Sequence, residues 1–229
     1  MIAILTDIHG NFSALEAVVE DAQSQGATQF ISLGDVAGYG AQVPECIDLL
    51  KKLSAINILG NHDRYIINNE DCPRSKVVSQ IIALQKNSLG ERHLAWLANS
   101  VSKIEFEDVL MVHGGPDDLQ DQYLYRLHRD LIPLGKRWLF SGHTHVQSLV
   151  YFDNGCYCNP GSVGQPRDGD WRTGYALFDG KHVRLRRLEY DLDRTILAMK
   201  NFGLEAFCYE NLRLGAQIGG RIDFVNIER

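Results

Sequence analysis

Residues 4–10 read ILTDIHG, an apolar run that closes on an aspartate, a histidine and a glycine. The same punctuation returns four times. FISLGD (30–35) ends in Asp35, and INILGNHD (56–63) ends in Asn61, His62 and Asp63. VLMVHGG (109–115) carries His113, and WLFSGHTH (138–145) carries His143 and His145. A short apolar run bounded by turn residues reads as a buried strand. A polar ligand just past its end is aimed at one edge of a sheet, where open α/β sheets bind their ligands. Five such edges most simply coincide. The shared rim then gathers Asp7, Asp35, Asn61, His9, His113, His143 and His145, with His62 and Asp63 beside them. Seven donors are enough to hold two metal ions.

Between the runs, the first half of the chain alternates strand and helix. Ser13-Ala14-Leu15-Glu16 has the form of a capping box, and Leu15, Val18, Val19 and Ala22 follow at helical spacing until Gly26. A strand over 28–33 leads to Gly34-Asp35. Pro44 then opens a helix with Cys46, Leu49, Leu50 and Leu53 on one face, and a strand over 55–59 leads into Gly60. This alternation implies right-handed parallel crossovers. From about Arg74 to Ala98 the pattern is helical. Thereafter hairpins take over, turning at Glu107-Asp108, at Asp153-Asn154-Gly155 and at Asp179-Gly180. Asn-Gly and Asp-Gly favour two-residue turns because both central positions need positive φ. A helix from about Asp191 to Phe202 and a tail to Arg229 finish the chain. The absence of repeats and Pro/Ser-rich linkers points to one domain, 1–229, with a helical C-terminal tail from about 191.

Composition narrows the function. A chain of 229 residues with 45% hydrophobic and 23% charged side chains has the makings of one well-filled soluble domain. Its formal net charge of −6 argues against a nucleic-acid partner held by counterion release. Arg184, Arg186 and Arg187 form the one basic cluster, and strand alternation makes it a solvated face. Five cysteines, an odd number, suggest no disulfide framework, and the lone pair Cys156-x-Cys158 is a weak zinc signal. The opening MIAILTD lacks a basic region and reaches Asp7 too soon for a signal peptide. No run approaches the roughly 18 apolar residues of a membrane span. The expectation is a reduced, cytoplasmic protein without membrane contact, its oligomeric state open.

Asp7-x-His9 and His143-x-His145 each set two donors on one side of an extended backbone. Oxygen and imidazole donors without thiolate suit manganese, iron, cobalt or zinc. Two carboxylates and a bridging hydroxide leave two divalent ions with net positive charge, which attracts phosphate. Alone, a D-x-H or H-x-H pair is ordinarily structural. Five such motifs, each just after a strand, point to a site. His93, His128 and His182 lack that context and read as ordinary histidines.

In this order, D-x-H, G-D, G-N-H-D, V-H-G-G and G-H-T-H resemble the calcineurin-like metallophosphoesterase superfamily. GDVAGYG (34–40) and NPGSVGQPRDGD (159–170) are similar to its small prokaryotic phosphodiesterase-like group. The resemblance covers Asp7 to about Asp170. It implies an α/β (α+β) fold, a two-sheet β-sandwich flanked by helices in four αββα layers. It implies Asp7, His9, Asp35 and His145 at one metal, and Asp35, Asn61, His113 and His143 at the other. Every ligand of that pattern is present. The ions expected are two divalent metals, manganese first, with iron, zinc, cobalt or nickel as alternatives.

A phosphoesterase follows from this, with a metal-bridging hydroxide as nucleophile and His62 as proton donor, oriented by Asp63. Arg167 and Arg64 are the candidate phosphate clamps, Arg being suited to bidentate contacts; Arg172, Tyr39 and Trp171 are weaker candidates on the same rim. Small or nucleotide phosphodiesters are the expected substrates. A dinucleoside polyphosphate hydrolase is the alternative. A serine/threonine protein phosphatase fits less well, because Leu59 stands where that branch has an arginine. A non-catalytic scaffold on the same fold, like the retromer subunit, would lack the catalytic histidine that is His62 here.

Overall fold

The alternating first half becomes a parallel core in the computed structural model, which describes residues 1–228. It runs β1 (Ile2–Leu5), α1 (Phe12–Ser24), β2 (Gln29–Ser32), α2 (Val43–Lys52), β3 (Ile56–Asn57). Three helices follow, α3 (Asn61–Asn68), α4 (Lys76–Ser88) and α5 (Glu91–Ala98). Next come β4 (Ile104–Phe106), β5 (Val109–Met111), β6 (Arg126–Leu127) and β7 (Trp138–Phe140). The hairpins β8 (Ser148–Phe152)–β9 (Gly155–Asn159) and β10 (Thr173–Phe178)–β11 (Val183–Leu188) precede α6 (Leu192–Asn201) and β12 (Asn226–Ile227).

Two five-stranded sheets result, in the orders β11-β10-β1-β2-β3 and β4-β5-β7-β9-β8. Side-chain alternation gives each sheet two faces. Ile4, Ile31, Leu33, Ala176 and Phe178 meet Met111, Trp138, Phe140, Cys156 and Cys158 between the sheets. Phe178 packs its ring 5.2 Å from both Trp138 and Phe140. On the other face of the first sheet, Ala3, Leu5, Phe30, Tyr175 and Leu177 pack against residues from all six α-helices. The outer face of the second sheet is covered differently. Leu110, Val112, Leu139 and Tyr157 are capped by Leu124, Leu127, Leu131 and Ile132, from a segment whose only helix is a 3-10 turn at Arg129–Leu131. Asp118 explains part of this, because its carboxylate captures the amides of Gln120 and Asp121. Such side-chain bonds compete with helix formation.

Several local expectations shift. α1 starts at Phe12, capped by the Asn11 side chain accepting from the Ala14 amide, rather than at a Ser13–Glu16 box. Ser13 instead donates to the Asp191 carbonyl. The long helical stretch divides at Gly90, which caps α5. The β10–β11 turn has four residues, Phe178 pairing with Val183, because Asp179 accepts from the amides of both Lys181 and His182. The tail from 191 is helical only in part. Beyond α6 it forms 3-10 turns and ends with β12 pairing in parallel with β6. All five cysteines are free thiols. Among the described residues no helix is long and apolar enough to cross a membrane.

Asp21, on α1, ties the helical layer to the sheet. It accepts from the Tyr175 hydroxyl at 2.5 Å and from Arg186 at 2.7 and 3.1 Å. Burial alone would raise its pKa, but Arg186 and Tyr175 hold it below the ordinary value. The fold therefore favours the ionised form, and its contribution is complete above the unfolded value of about 3.9. Asp21→Asn should lower stability by about 1 kcal/mol at pH 7 in urea denaturation. That gap should close as pH falls through the folded-state pKa. A gap independent of pH would contradict this reading.

Candidate metal centre

The loops after β1, β2, β3, β5 and β7 all open on one edge of the sandwich, and they are stitched to one another. Asp7 N–H donates to Gly34 O, His9 N–H to Asp35 O and Gly142 N–H to His113 O, at 3.0, 3.0 and 2.8 Å. This stitching holds a strained backbone. Asp7, His9, Asp35, His143 and His145 have φ of 52, 48, 55, 65 and 59°. Each left-handed non-glycine residue costs about 1–2 kcal/mol. The backbones also approach closely at Gly60, where a Cβ would run into the Asp35 carboxylate.

The donors converge as three overlapping groups: Asp7, His9 and His145; His9, Asp35 and His62; Asp35, His113 and His143. Asp35 belongs to two of them. Its Oδ1 accepts the His62 amide at 2.9 Å. Its Oδ2 faces His113, His62 and His9 at 3.4, 3.8 and 3.9 Å. Asp7 divides its labour similarly. Its Oδ2 accepts from Thr6 and from the His143 amide, while Oδ1 lies buried without a hydrogen-bond partner, 3.2 Å from His145 Nε2. Asn61 presents Oδ1 3.0 Å from His113 Nε2. The seven ligands expected from sequence are all buried and brought together.

Tautomers test whether cations fit. His9 Nδ1 lies 2.6 Å from the Ala37 carbonyl and His145 Nδ1 2.6 Å from the Gln165 carbonyl. A carbonyl only accepts, so both Nδ1 atoms carry hydrogen, which leaves both Nε2 atoms as the positions from which these rings would ligate a cation. Yet these two Nε2 atoms face each other at 3.1 Å. A cation displacing any proton held between them would be shared by both rings. His143 Nε2 is likewise buried without a partner. Backbone carbonyls holding the far nitrogen are the usual support of metal-binding histidines. The donor set fits divalent cations.

The charges agree. Burial would raise the Asp7 and Asp35 pKa values, but His145 beside Asp7 and His113 beside Asp35 hold both below the ordinary range. Burial, with a neighbouring histidine, lowers His9 and His143. His113 goes the other way. Burial opposes its protonation, but Asp35 raises it to about 9, so in the absence of a cation the proton on His113 offsets the carboxylate charge.

His62 stands beside the donors. Its ring lies 5.0 Å from those of His9 and Tyr39, and burial lowers its pKa to about 4. The orienting contact expected from Asp63 is not formed. His62 Nδ1 is without a partner, and Asp63 Oδ1 instead accepts the Ala37 amide at 3.0 Å. The reason is local: Asn61, His62 and Asp63 form the first turn of α3, where successive side chains diverge. Asp63 thus braces the residue whose carbonyl orients His9. Burial, then the Asp35 charge, raises it to about 7.

A pocket of about 480 Å³ opens beside the donors, lined by Asn61, His62, Tyr39 and Arg167 among others. Arg167 is buried, with one nitrogen 3.0 Å from both the Tyr39 hydroxyl and Gln165 Oε1. Arg64 lies elsewhere. It is bound to Glu70, Gln120 and Asp121 and does not line the pocket. Arg172 pairs with Asp170, and Trp171 packs against Tyr190. Sequence reasoning missed Arg74, Tyr123, Tyr125, Gln217 and Arg221, which complete the pocket. Only the alternating Tyr123-Leu124-Tyr125, two rings on one face, gave a signal.

Over residues 1–182 the chain matches the family described as the calcineurin-like phosphoesterase superfamily domain. An uncharacterized protein of Methanocaldococcus jannaschii is 30% identical to it over 238 residues, or 94% of this chain and 98% of that protein. A solved metallophosphoesterase of Sphaerobacter thermophilus is 30% identical, with a TM-score of 0.80 over 93% of this chain and 98% of its own. A hypothetical protein of Pyrococcus horikoshii superposes with a TM-score of 0.81 over 95% of this chain and 100% of its own. At 20% identity, that likeness is one of fold.

Buried carboxylates and imidazoles gathered this closely should make a cation-loaded form the more stable. Manganese at a thousandfold over its Kd should add about 4 kcal/mol, raising Tm by roughly 8–16 °C, with chelation reversing the shift. Gly60→Ala, which displaces Asp35 at a backbone conformation open to alanine (φ −83°, ψ 167°), should abolish most of that rise with the circular dichroism spectrum retained. An undiminished rise in the variant would count against the close approach.

Proposed function

The chain belongs to the calcineurin-like phosphoesterase superfamily, and on that premise we propose a two-metal phosphodiesterase acting on small or nucleotide diesters, with His62 as proton donor. As members of a metal-dependent family, proteins of this type hydrolyse phosphoesters. The observation that supports the finer reading is the close pair of Nε2 atoms of His9 and His145, continued through Asp35 to His113 and His143. Asp7, His9 and His145 would hold one ion and Asn61, His113 and His143 the other, with Asp35 between. Manganese is the first candidate. Such ions, when bound, acidify water and offset charge on phosphoryl oxygens.

The remaining work falls to side chains. Arg167 presents a fixed positive charge at the pocket wall, oriented by Tyr39 and Gln165, and suits a phosphate oxygen. His62 reaches toward the donors, its Nε2 3.8 Å from Asp35 Oδ2. Unliganded and buried, the ring is neutral at pH 7. An anionic phosphoryl group seated against it raises its proton affinity, so the proton is held where the leaving oxygen needs it. The pocket extends well past the donors, which leaves room for the second ester arm of a diester.

With manganese, the protein should turn over bis-p-nitrophenyl phosphate faster than p-nitrophenyl phosphate. His62→Ala should retain its metal content by elemental analysis while losing about 10²–10³-fold in kcat on diesters with alkyl leaving groups. Full turnover in that variant removes the proton-donor role, and a fully loaded wild type inert toward every diester removes the assignment.

A further inference from the structure

The pocket that opens from the donors carries Arg74, Arg167 and Arg221 and not one carboxylate among its lining residues. The chain as a whole bears a net charge of −6, so this concentration of cations is local. Arg167 forms the buried inner wall. Arg74 and Arg221 stand at the mouth, with side chains 45% and 68% exposed. Resting on the diesterase reading above, we propose that this mouth is a subsite for a second phosphate, carried by the substrate beyond the one that is cleaved and read by Arg74 and Arg221.

The path from the metal ligands to the mouth is continuous. The Tyr123 ring lies 3.9 Å from that of His143, and Tyr125 stacks on Tyr123 at 5.5 Å with 3° between their planes. Arg74 sits over the Tyr123 ring at 5.2 Å. The Tyr125 hydroxyl donates to Asp223 at 3.1 Å, and the same carboxylate accepts from Arg221 at 2.9 Å and from Gln217. A substrate leaving the donors therefore passes the two tyrosines toward the two guanidinium groups that line the same pocket. The tyrosine edges and hydroxyls border the space a sugar would cross, and the guanidinium groups suit a phosphate.

The mouth is also built to stay charged. Arg74 is held from behind by Asp121 and Arg221 by Asp223, and neither carboxylate lines the pocket. Each guanidinium spends one of its five donors on that bond, which leaves the others without a protein partner among the described residues. Gln217 and Arg221 belong to a turn closed on itself, Gln217 N–H donating to Arg221 O at 2.8 Å. The turn is fastened to the site, because Asp223 N–H donates to the Arg167 carbonyl at 2.7 Å. This C-terminal segment, outside the residues matched to the family domain, thus acts as a specificity wall.

A matched pair of esters tests this: the p-nitrophenyl ester of thymidine 5′-phosphate, with and without a 3′-phosphate. Wild type loaded with manganese should favour the 3′-phosphorylated ester by about tenfold in kcat/KM, the worth of one charge-assisted contact. Arg74→Gln and Arg221→Gln, on separate segments, should each reduce that ratio to near unity. Calorimetric titration of the metal-free protein supplies a second readout, with thymidine 3′,5′-bisphosphate binding more tightly than thymidine 5′-phosphate and the difference shrinking in both variants. Equal handling of the two ligands by wild type, or a preference that survives both substitutions, overturns the proposal. A wild type inert toward all diesters that still prefers the bisphosphate would sink the diesterase reading and leave the subsite standing.

Discussion

Two imidazole nitrogens, one from His9 and one from His145, are held 3.1 Å apart in the interior of this protein. Much of the surrounding structure is the means of keeping them there. Each ring is gripped at its far nitrogen by a backbone carbonyl, Ala37 for His9 and Gln165 for His145. Those carbonyls lie in loops fastened to other loops, and the loops rest on a sandwich whose interior is filled by Phe140, Phe178 and Trp138. Packing supplies the stability from which the strained edge draws. A cation seated there would be gripped by both rings at once.

The same constraint ranks the residues around the donors. Asp63 touches neither substrate pocket nor donor directly, but its bond to the Ala37 amide fixes the carbonyl that fixes His9. Thr6, donating to Asp7 Oδ2, frees Oδ1 to face inward. Gly38 leaves a space beside the His62 ring that a Cβ would occupy. Such residues set angles rather than perform chemistry, and they help side chains from five loops converge on one centre.

The strands and the seven donors were legible because they rest on a local signal, an apolar run that stops at a polar residue. The parallel order of β1, β2 and β3 was legible for the same reason, since each crossover helix carries its own apolar stripe. What escaped depends on distance or on side-chain direction. The motif at 61–63 follows a strand but is the first turn of α3, which swings Asp63 away from His62 and carries Arg64 toward Asp121. The αββα layering implied a helical cover on the second sheet, yet 116–132 covers it with loop and one 3-10 turn, Asp118 holding the amides of Gln120 and Asp121. Arg221 was invisible as a site residue because only a fold-back through Asp223 and β12 brings it to Tyr125.

Five of the donors adopt left-handed backbone angles, and that has a bearing on which amino acids can serve there. Asparagine, aspartate and histidine are the non-glycine residues that tolerate this region best. Glutamate, although an equally good oxygen donor, is not among them. The vocabulary of this centre, Asp and His at the tight corners and Asn61 on a helix, is therefore dictated twice, once by the affinity of the ions and once by the curvature of the main chain. Substitutions that preserve donor chemistry but lengthen the side chain would carry a conformational cost of about 1–2 kcal/mol at each such corner, added to any loss of coordination.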